Sequence, residues 1–262
     1  MRKIRLLLSY DGTEFNGWQR QAGGIPTVQG AVEHVLTQIY SEKINVIGSG
    51  RTDAGTHAVG QVCHYDAPKI LVKEERLLRA LNSLLPDSIA VKAAYLAPEE
   101  FHALASARRK TYIYRVWNHP VRSPLWNKRA LWVPKPLDLT YLNSLSGRII
   151  GTKDFKSFQT SGTPVKTTVR TVDICQWTAK TPHLLEFRIR GNGFLKQMVR
   201  NLVGTLLYLE RNRAAQGAHL NQLQDIFDAR DRQAAKTTVA AHGLYLYKVE
   251  YPAALDNKCR KL

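Results

Sequence analysis

A glycine-rich loop carries the residues of this sequence that are best suited to chemistry. Asp53 follows Arg51 by two residues within the segment 50–58, and several glycines stand close by. Glycine permits positive φ and lets another backbone or a ligand approach closely. If the chain is extended here, Arg51 and Asp53 point to the same side, where the guanidinium would keep the carboxylate ionised. On these residues alone, a plain turn with a surface ion pair is the favoured interpretation.

A second segment combines cations with aromatic rings. Arg108, Arg109 and Lys110 precede Tyr112 and Tyr114. In a strand, this spacing places Lys110, Tyr112 and Tyr114 on one face. Cations bind RNA phosphates and a tyrosine ring can stack on a base. A half-buried strand with aromatic packing accounts for the same pattern.

A third segment, residues 191–201, leads into a strong apolar stripe of helical spacing. Arg200 lies at the edge of this stripe, from which its side chain could reach over a neighbouring cleft. On sequence alone, a solvated helix flank explains Arg200 slightly better.

Motifs for metals and cofactors are absent from the sequence. It contains no GxxxxGK[ST] loop and no HExxH, and its three cysteines, Cys63, Cys175 and Cys259, form no CxxC pair. His57 and His64 lack partners at metal-ligand spacing, so we interpret them as structural. We therefore expect neither a metal nor a cofactor.

Composition favours an anionic partner. Lys and Arg number 38 against 21 Asp and Glu, which gives a net charge of +17. Such an excess, spread along the chain, is typical of a folded nucleic-acid-binding groove, although a basic soluble surface would show it too. The N-terminal apolar run is too short for a signal peptide, and no run has the length of a membrane helix. With so few cysteines, we expect a cytoplasmic protein that does not enter a membrane.

Periodic patterns along the chain predict strands and helices mixed twice over. Helices are predicted after Thr27, around Leu77–Leu85, around 139–145, over 195–207 and over 220–227. Strands are predicted over 3–10, 44–47, 61–65, 89–95, 109–117, 169–177, 184–190 and 244–249. This order predicts an α+β fold of two halves, residues 1–105 and 106–262.

Residues 50–58 resemble the signature loop of the tRNA pseudouridine synthase A family. Other blocks match in the same order, so the resemblance covers nearly the whole chain. They are Tyr10-Asp11-Gly12, Gly17-Trp18-Gln19-Arg20-Gln21, Phe101-His102-Ala103, Lys110-Thr111-Tyr112-Ile113-Tyr114, Asp154-Phe155-Lys156-Ser157-Phe158, Arg170-Thr171-Val172, Met198-Val199-Arg200-Asn201 and Gly243-Leu244.

The resemblance implies a cofactor-free isomerase that converts uridine to pseudouridine in the anticodon stem-loop of tRNA, at the thirty-eighth to fortieth nucleotides. It also implies the pseudouridine synthase fold, in which two pseudo-symmetric α/β halves share a central, mainly antiparallel sheet with a basic cleft, and a homodimer in which each tRNA touches both subunits. The target base would have to be flipped out of its stack.

Site residues follow from the same resemblance. Asp53 matches the catalytic aspartate, Arg51 the arginine of base flipping, Tyr112 the tyrosine that stacks on the target base, and Arg200 the arginine that pairs with the aspartate. Which atom Asp53 acts on (C1′, C6 or the C2′ proton) stays open. Segments 101–105 and 162–166 match tRNA contacts, and the full predicted RNA-binding set is Arg51, Phe101, His102, Ala103, Arg108, Arg109, Lys110, Tyr112, Lys166 and Arg170.

Three positions depart from the family pattern. Leu104 stands where the family usually has arginine, which puts one RNA contact in doubt. Thr56 stands where valine is usual, which should matter little, and Ala240 stands where proline is common, which bears on loop stiffness more than on chemistry. Two other functions also remain open. A non-catalytic RNA-binding module would explain the charge and the tyrosines, and a nucleobase glycosidase would release free uracil. A deaminase would need a zinc signature that the sequence lacks.

Overall fold

The computed structural model describes residues 2–68, 74–160, 162, 165–213 and 221–262. The strands in chain order are β1 (Arg2–Tyr10), β2 (Ile47–Gly48), β3 (His57–Ala67), β4 (Ile89–Ala97), β5 (Arg109–Asn118), β6 (Leu131–Val133), β7 (Gly151–Asp154), β8 (Val169–Ala179), β9 (Leu184–Gly191), β10 (Leu244–Glu250) and β11 (Arg260–Lys261). The helices are α1 (Val28–Tyr40), α2 (Glu74–Leu84), α3 (Leu139–Gly147), α4 (Met198–Asn212), α5 (Asn221–Ala229) and α6 (Ala253–Asp256). The predicted α+β class with mainly antiparallel strands is confirmed.

The chain divides into two compact units. The first unit comprises Met1–Lys110 and Tyr245–Leu262, and the second comprises Thr111–Leu244. The division predicted from the sequence, 1–105 and 106–262, differs because the C-terminal residues return to the first unit. There, β10 pairs in parallel with β3, with Tyr245 opposite His57.

In the first unit, the strand order is β11-β4-β1-β3-β10, with β2 beside β3. β1 runs antiparallel to both β3 and β4, and every second residue from Ile4 to Tyr10 is buried. Helix α1 begins after Thr27, whose side chain accepts the N–H of Gly30, as the sequence predicts. It buries one apolar face and contacts α2, which packs on β4.

The predicted strand over 44–47 is largely wrong. Only Ile47 joins the sheet, opposite His64. The N–H of Val46 donates instead to the carboxylate of Glu33 on α1, at 2.9 Å. A buried glutamate of a helix thus takes the backbone donor that a strand neighbour would have used.

In the second unit, β5, β9, β8 and β7 are neighbours in that order, with β6 beside β5. Helix α3 packs on β8 and on α4. The predicted stripe from 195 to 207 is a helix only from Met198 onward, because Gln197 has a left-handed backbone with φ 58°. Leu195 is buried nonetheless, outside the helix. Among the described helices, none combines the length and apolar character needed to cross a bilayer.

His64 ties the sheet of the first unit to residues 101–105. Its Nδ1 accepts the N–H of Ala103 at 3.2 Å, and its ring meets that of Phe101 edge-on. Burial, followed by the neighbours His102 and Lys3, lowers the pKa of His64 to about 4. The imidazole is therefore neutral near pH 7, as its acceptor role requires.

The free energy of unfolding should fall as the pH falls from about 6.5 toward 4. Over this range His64 becomes protonated in the unfolded chain but not in the folded chain. Above that range the contribution is fully present. We expect the wild-type Tm to decline over this range and the Tm of His64→Asn to decline less. His34→Asn is the control, since His34 is exposed on α1. Parallel Tm–pH curves for wild type and His64→Asn would contradict this role.

Candidate active site

The loop that carries Asp53 connects β2 to β3, and its first residues are fixed to β3. Ser49 donates its N–H to the carbonyl of Val62 at 2.7 Å and its hydroxyl to Gln61 Oε1 at 2.6 Å. The Gln61 amide in turn donates to the carbonyl of Gly50 at 3.0 Å. Both side chains are fully buried. These buried polar bonds set the point from which the loop departs.

Residues 10–18 hold the middle of the same loop. The N–H of Trp18 donates to the carbonyl of Thr52 at 3.1 Å, and the N–H of Gly55 donates to the carbonyl of Phe15 at 3.3 Å. The hydroxyls of Tyr10 and Thr52 lie 2.9 Å apart. Burial raises the pKa of Tyr10 to about 12, so its hydroxyl stays protonated at neutral pH.

Two glycines make this close approach possible. A Cβ on Gly17 would lie 2.5 Å from the carbonyl oxygen of Thr52, and the φ of Gly17 is +87°. A Cβ on Gly12 would lie 2.0 Å from the carbonyl oxygen of Thr56. Any other residue at either position would push the two backbone segments apart. We name residues 10–18 the clamp segment.

His57 closes the loop and is structural, as the sequence predicts. Its Nδ1 accepts the N–H of Gly12 at 3.1 Å, and its ring stacks on Tyr245 with centroids 4.6 Å apart. Asp11 Oδ1 lies 3.2 Å from the same nitrogen. Because that nitrogen accepts from Gly12, it carries no proton to donate, so we do not interpret the Asp11–His57 approach as an ion pair. No group of three potential metal ligands exists among the described residues.

Asp53 and Arg51, which lie in the loop held by the clamp segment, differ in exposure to solvent. Thr52 is buried, Asp53 is half-buried and Arg51 is exposed. The predicted Arg51–Asp53 ion pair is wrong, because Arg51 forms no ion pair or hydrogen bond within the described part of the chain. The buried Thr52 anchors the loop between the half-buried Asp53 and the exposed Arg51.

Lys110 also lies at this loop. A Cβ on Gly50 would be 3.1 Å from Lys110 Nζ, so the ammonium sits directly over Gly50. The side chain is half-buried, and burial lowers the pKa of Lys110 to about 8.

In the second unit, Tyr112 and Tyr114 on β5 have different environments. Tyr112 is 8% exposed and meets Phe194 edge-to-face, with centroids 5.1 Å apart. Tyr114 is fully buried and donates its hydroxyl to the carbonyl of Ala240 at 2.7 Å. A Cβ on Gly243 would come within 2.6 Å of the Tyr114 ring. Tyr114 is thus a packing residue, which leaves Tyr112 as the candidate for stacking.

Arg200, in the first turn of α4, is oriented by the backbone of residues 237–240. Its Nε donates to the carbonyl of Val239 at 2.8 Å. Arg232 fixes that segment, since its Nη2 donates to Thr238 Oγ1 at 2.9 Å. The segment also packs tightly on α4, where a Cβ on Gly204 would lie 1.9 Å from the carbonyl oxygen of Thr237.

The predicted RNA contacts differ in accessibility. Phe101 and Ala103 are fully buried, so their side chains offer no surface to RNA. The carbonyl of Ala103 instead accepts the hydroxyl of Tyr251 at 2.7 Å. Half-buried His102 accepts the N–H groups of Leu104 and Ala105 at its Nδ1, which shapes the turn. Leu104, which replaces the usual arginine, is 51% exposed.

The remaining predicted contacts are cations at or near the surface. Arg108 and Lys166 are exposed, and Arg109 and Arg170 are half-buried. Arg170 donates to the carbonyls of Thr167 and Val169. Within the predicted segment 162–166, residues 163 and 164 lie outside the described residues.

Sequence reasoning missed two groups that position Asp53. Neither Gln61 nor Ser49 was predicted as a site residue. The clamp segment was predicted only as part of the family resemblance, and its role in holding the loop was not predicted. The signal was present in Gly12 and Gly17, because glycines at two such positions indicate close backbone approach.

Replacing Thr56 by valine should stabilise the protein. Thr56 Oγ1 is buried and has no hydrogen-bond partner in the described structure. Removal of an unsatisfied buried hydroxyl is expected to raise the free energy of unfolding by about 1 kcal/mol, measured by urea denaturation. Thr205→Val is the matched control with the opposite sign, since the Thr205 hydroxyl donates to Asn201 and accepts from Lys236. Equal destabilisation of both variants would refute the unsatisfied hydroxyl.

Comparison with known proteins is consistent with this arrangement. A family model described as tRNA pseudouridine synthase matches residues 7–104 and 147–252. A tRNA pseudouridine synthase A from Bdellovibrio bacteriovorus is 45% identical over 99% of both chains. Those from Maridesulfovibrio salexigens and Methylacidiphilum infernorum are 40% and 42% identical, over 96% and 95% of this chain and 91% and 95% of theirs. A solved dye-decolorizing protein from V. cholerae, with 12% identity and a TM-score of 0.21, is too distant to bear on the fold. The matched range contains the clamp segment, the Asp53 loop and Arg200, and the chain belongs to the tRNA pseudouridine synthase A family.

Proposed function

We propose that this protein isomerises uridine to pseudouridine at the thirty-eighth to fortieth nucleotides of the tRNA anticodon stem-loop, with Asp53 as the catalytic carboxylate. The observation that carries the proposal is the double attachment of the Asp53 loop, to β3 through Ser49 and Gln61 and to the clamp segment through Thr52. A carboxylate held this firmly on a half-exposed loop is preorganised for reaction.

The reaction conserves atoms and electrons. The N1–C1′ bond breaks, the detached uracil turns, and a bond forms between C5 and C1′. C5 then loses its proton and N1 gains one. No oxidant, reductant or energy source is consumed, so the side chains of the protein suffice to supply a nucleophile or base and to hold the base.

We assign the other residues to steps on either side of this exchange. Arg51, which is exposed and makes no internal ion pair within the described residues, would fill the space that the flipped base vacates. Tyr112 would stack on the uracil, supported by Phe194. Arg200, oriented by the carbonyl of Val239, would pair with Asp53 and hold its carboxylate in position.

The family also implies a homodimeric assembly and a cytoplasmic location, and we include both in the proposal. A homodimer in the cytoplasm would bind each tRNA through both subunits. Of the predicted RNA contacts, we keep those with accessible polar groups, which are Arg51, His102, Arg108, Arg109, Lys110, Lys166 and Arg170.

Asp53→Asn should lower the rate of pseudouridine formation in unmodified tRNA by on the order of a thousandfold or more. Pseudouridine mapping of a tRNA transcript measures the rate, and a filter-binding Kd should change only a few-fold. The control is Asp87→Asn, which removes the same charge from an exposed position in the first unit. Conversion by Asp53→Asn at the wild-type rate would favour a non-catalytic RNA-binding module, and release of free uracil by the wild type would identify a glycosidase.

A further inference from the structure

The ammonium of Lys110 lies over the Asp53 loop without an anionic partner. Lys110 Nζ is 3.1 Å, and Cε 3.8 Å, from the point that a Cβ on Gly50 would occupy. Lys110 forms neither a hydrogen bond nor an ion pair within the described ranges of the chain. An ammonium partly removed from water is destabilised until an anion joins it, and burial accordingly lowers the pKa of Lys110 to about 8.

Backbone donors lie at the same place. The N–H groups of Gly50 and Arg51 donate no hydrogen bond to any described residue. A side chain at position 50 would press on the ammonium, so glycine at this position lets Lys110 Nζ lie close to these donors. Successive unpaired N–H groups next to a cation are the arrangement that proteins use to bind anions.

No acid of the first unit neutralises Lys110. The charged groups on the two segments that meet here are Arg51 and Asp53 on the loop and Arg108 and Arg109 on the approach to β5. None of the four contributes to the lowered pKa of Lys110, which burial alone causes. The anion that would complete this group of donors therefore has to come from a bound molecule.

We propose that Lys110 and the N–H groups of Gly50 and Arg51 bind one backbone phosphate of the substrate RNA beside the nucleotide on which Asp53 acts. This inference rests on the proposed function of the Asp53 loop. Phosphate contacts fix the register of a protein on a nucleic acid without reading its sequence. The site would thus set which nucleotide comes opposite Asp53, while Arg51 remains available to enter the stack.

A bound phosphate would restore the proton to Lys110. In the free protein the amine loses its proton above about pH 8, whereas an adjacent phosphate favours the ammonium. Binding would therefore take up a proton at higher pH, and RNA affinity would fall as the pH rises. For one such group, the Kd should increase by about tenfold between pH 7 and pH 9.

The test measures the Kd for an unmodified tRNA transcript from pH 7 to pH 9, with Asp53→Asn as the background that prevents turnover. In that background, Lys110→Gln should weaken binding at pH 7 by about ten- to a hundredfold and abolish the rise of Kd with pH. Lys110→Arg should bind well at both pH values, because arginine keeps its charge. Lys43→Gln, which removes an equal charge from an exposed position of the same unit, should retain the pH dependence.

A second arm separates RNA phosphate from a free anion. Each stem-loop RNA in this arm carries one neutral methylphosphonate at a different linkage near the target uridine. At one linkage, the modified RNA should bind Lys110→Arg more weakly than the unmodified RNA does. The same modification should not weaken binding to Lys110→Gln any further. If the loss is independent of Lys110 at every linkage, or if Kd shows no pH dependence that Lys110→Gln removes, the proposal is overturned. If inorganic phosphate at constant ionic strength responds to Lys110→Gln while RNA does not, the site is a free-anion site and the proposal also fails.

The two proposals fail separately. Pseudouridine formation is measured in parallel with Asp53 intact. If the rate of pseudouridine formation does not depend on Asp53, the proposed function is contradicted. If that rate depends on Asp53 but the Kd for RNA is unchanged by substitution of Lys110, only the phosphate site is contradicted. Lys110→Gln should have a Tm at least as high as wild type, because it removes a half-buried cation that has no partner within the described residues, so weak binding would not reflect misfolding.

Discussion

Two backbone segments of this protein lie closer together than side chains on both would permit, and the position of Asp53 depends on that approach. The clamp segment meets the loop through Gly12 and Gly17, and its backbone bonds directly to Thr52 and Gly55. On the other side, Ser49 and Gln61 attach the loop to β3. The position of a carboxylate on a loop is set by the groups that hold the loop, and here most of these groups are backbone atoms. Substitutions at the glycines should thus affect catalysis without touching the substrate.

Some cations of the protein have partners within the fold, whereas two at the Asp53 loop have none among the described residues. Arg5 is paired with Asp256 and lies over three aromatic rings, and Arg232 bonds to Asn201 and Thr238. Arg51 and Lys110, at the Asp53 loop, have no such partners among the described residues. The net charge of +17 favours an anionic partner, and the proposal places that partner at this loop. The family supplies that partner as tRNA.

Periodic, well-capped elements could be predicted from the sequence, and elements fixed by neighbours could not. The Thr27 cap and the stripe of α1 are local signals, as is the alternation of β1. β6, β7 and β11 have only two to four residues each, too few to show a period, and they exist because a longer strand lies beside them. The strand expected over 44–47 failed since Glu33, distant in sequence, takes the N–H of Val46.

The site shows the same division. Residue types and the family resemblance pointed to Asp53, Tyr112 and Arg200, whose roles stay predictions. The Arg51–Asp53 pair was predicted on the condition that the chain is extended here. Residues 51–53 form no strand, Tyr10 and Trp18 hold Thr52, and Arg51 is exposed while Asp53 is half-buried. Phe101 and Ala103 match RNA-contacting positions but are buried, a distinction that only the packing around His64 and Tyr251 reveals.

The most direct test of the account is the turnover number of Gly17→Ala compared with that of Gly23→Ala. Both glycines have positive φ, of 87° and 78°, so both variants carry a similar backbone strain, but only Gly17 has no room for a methyl group against Thr52. If the close approach positions Asp53, kcat for pseudouridine formation falls by about tenfold or more in Gly17→Ala, with the tRNA Kd unchanged, and stays at the wild-type value in Gly23→Ala. Equal kcat values for the two variants would contradict it.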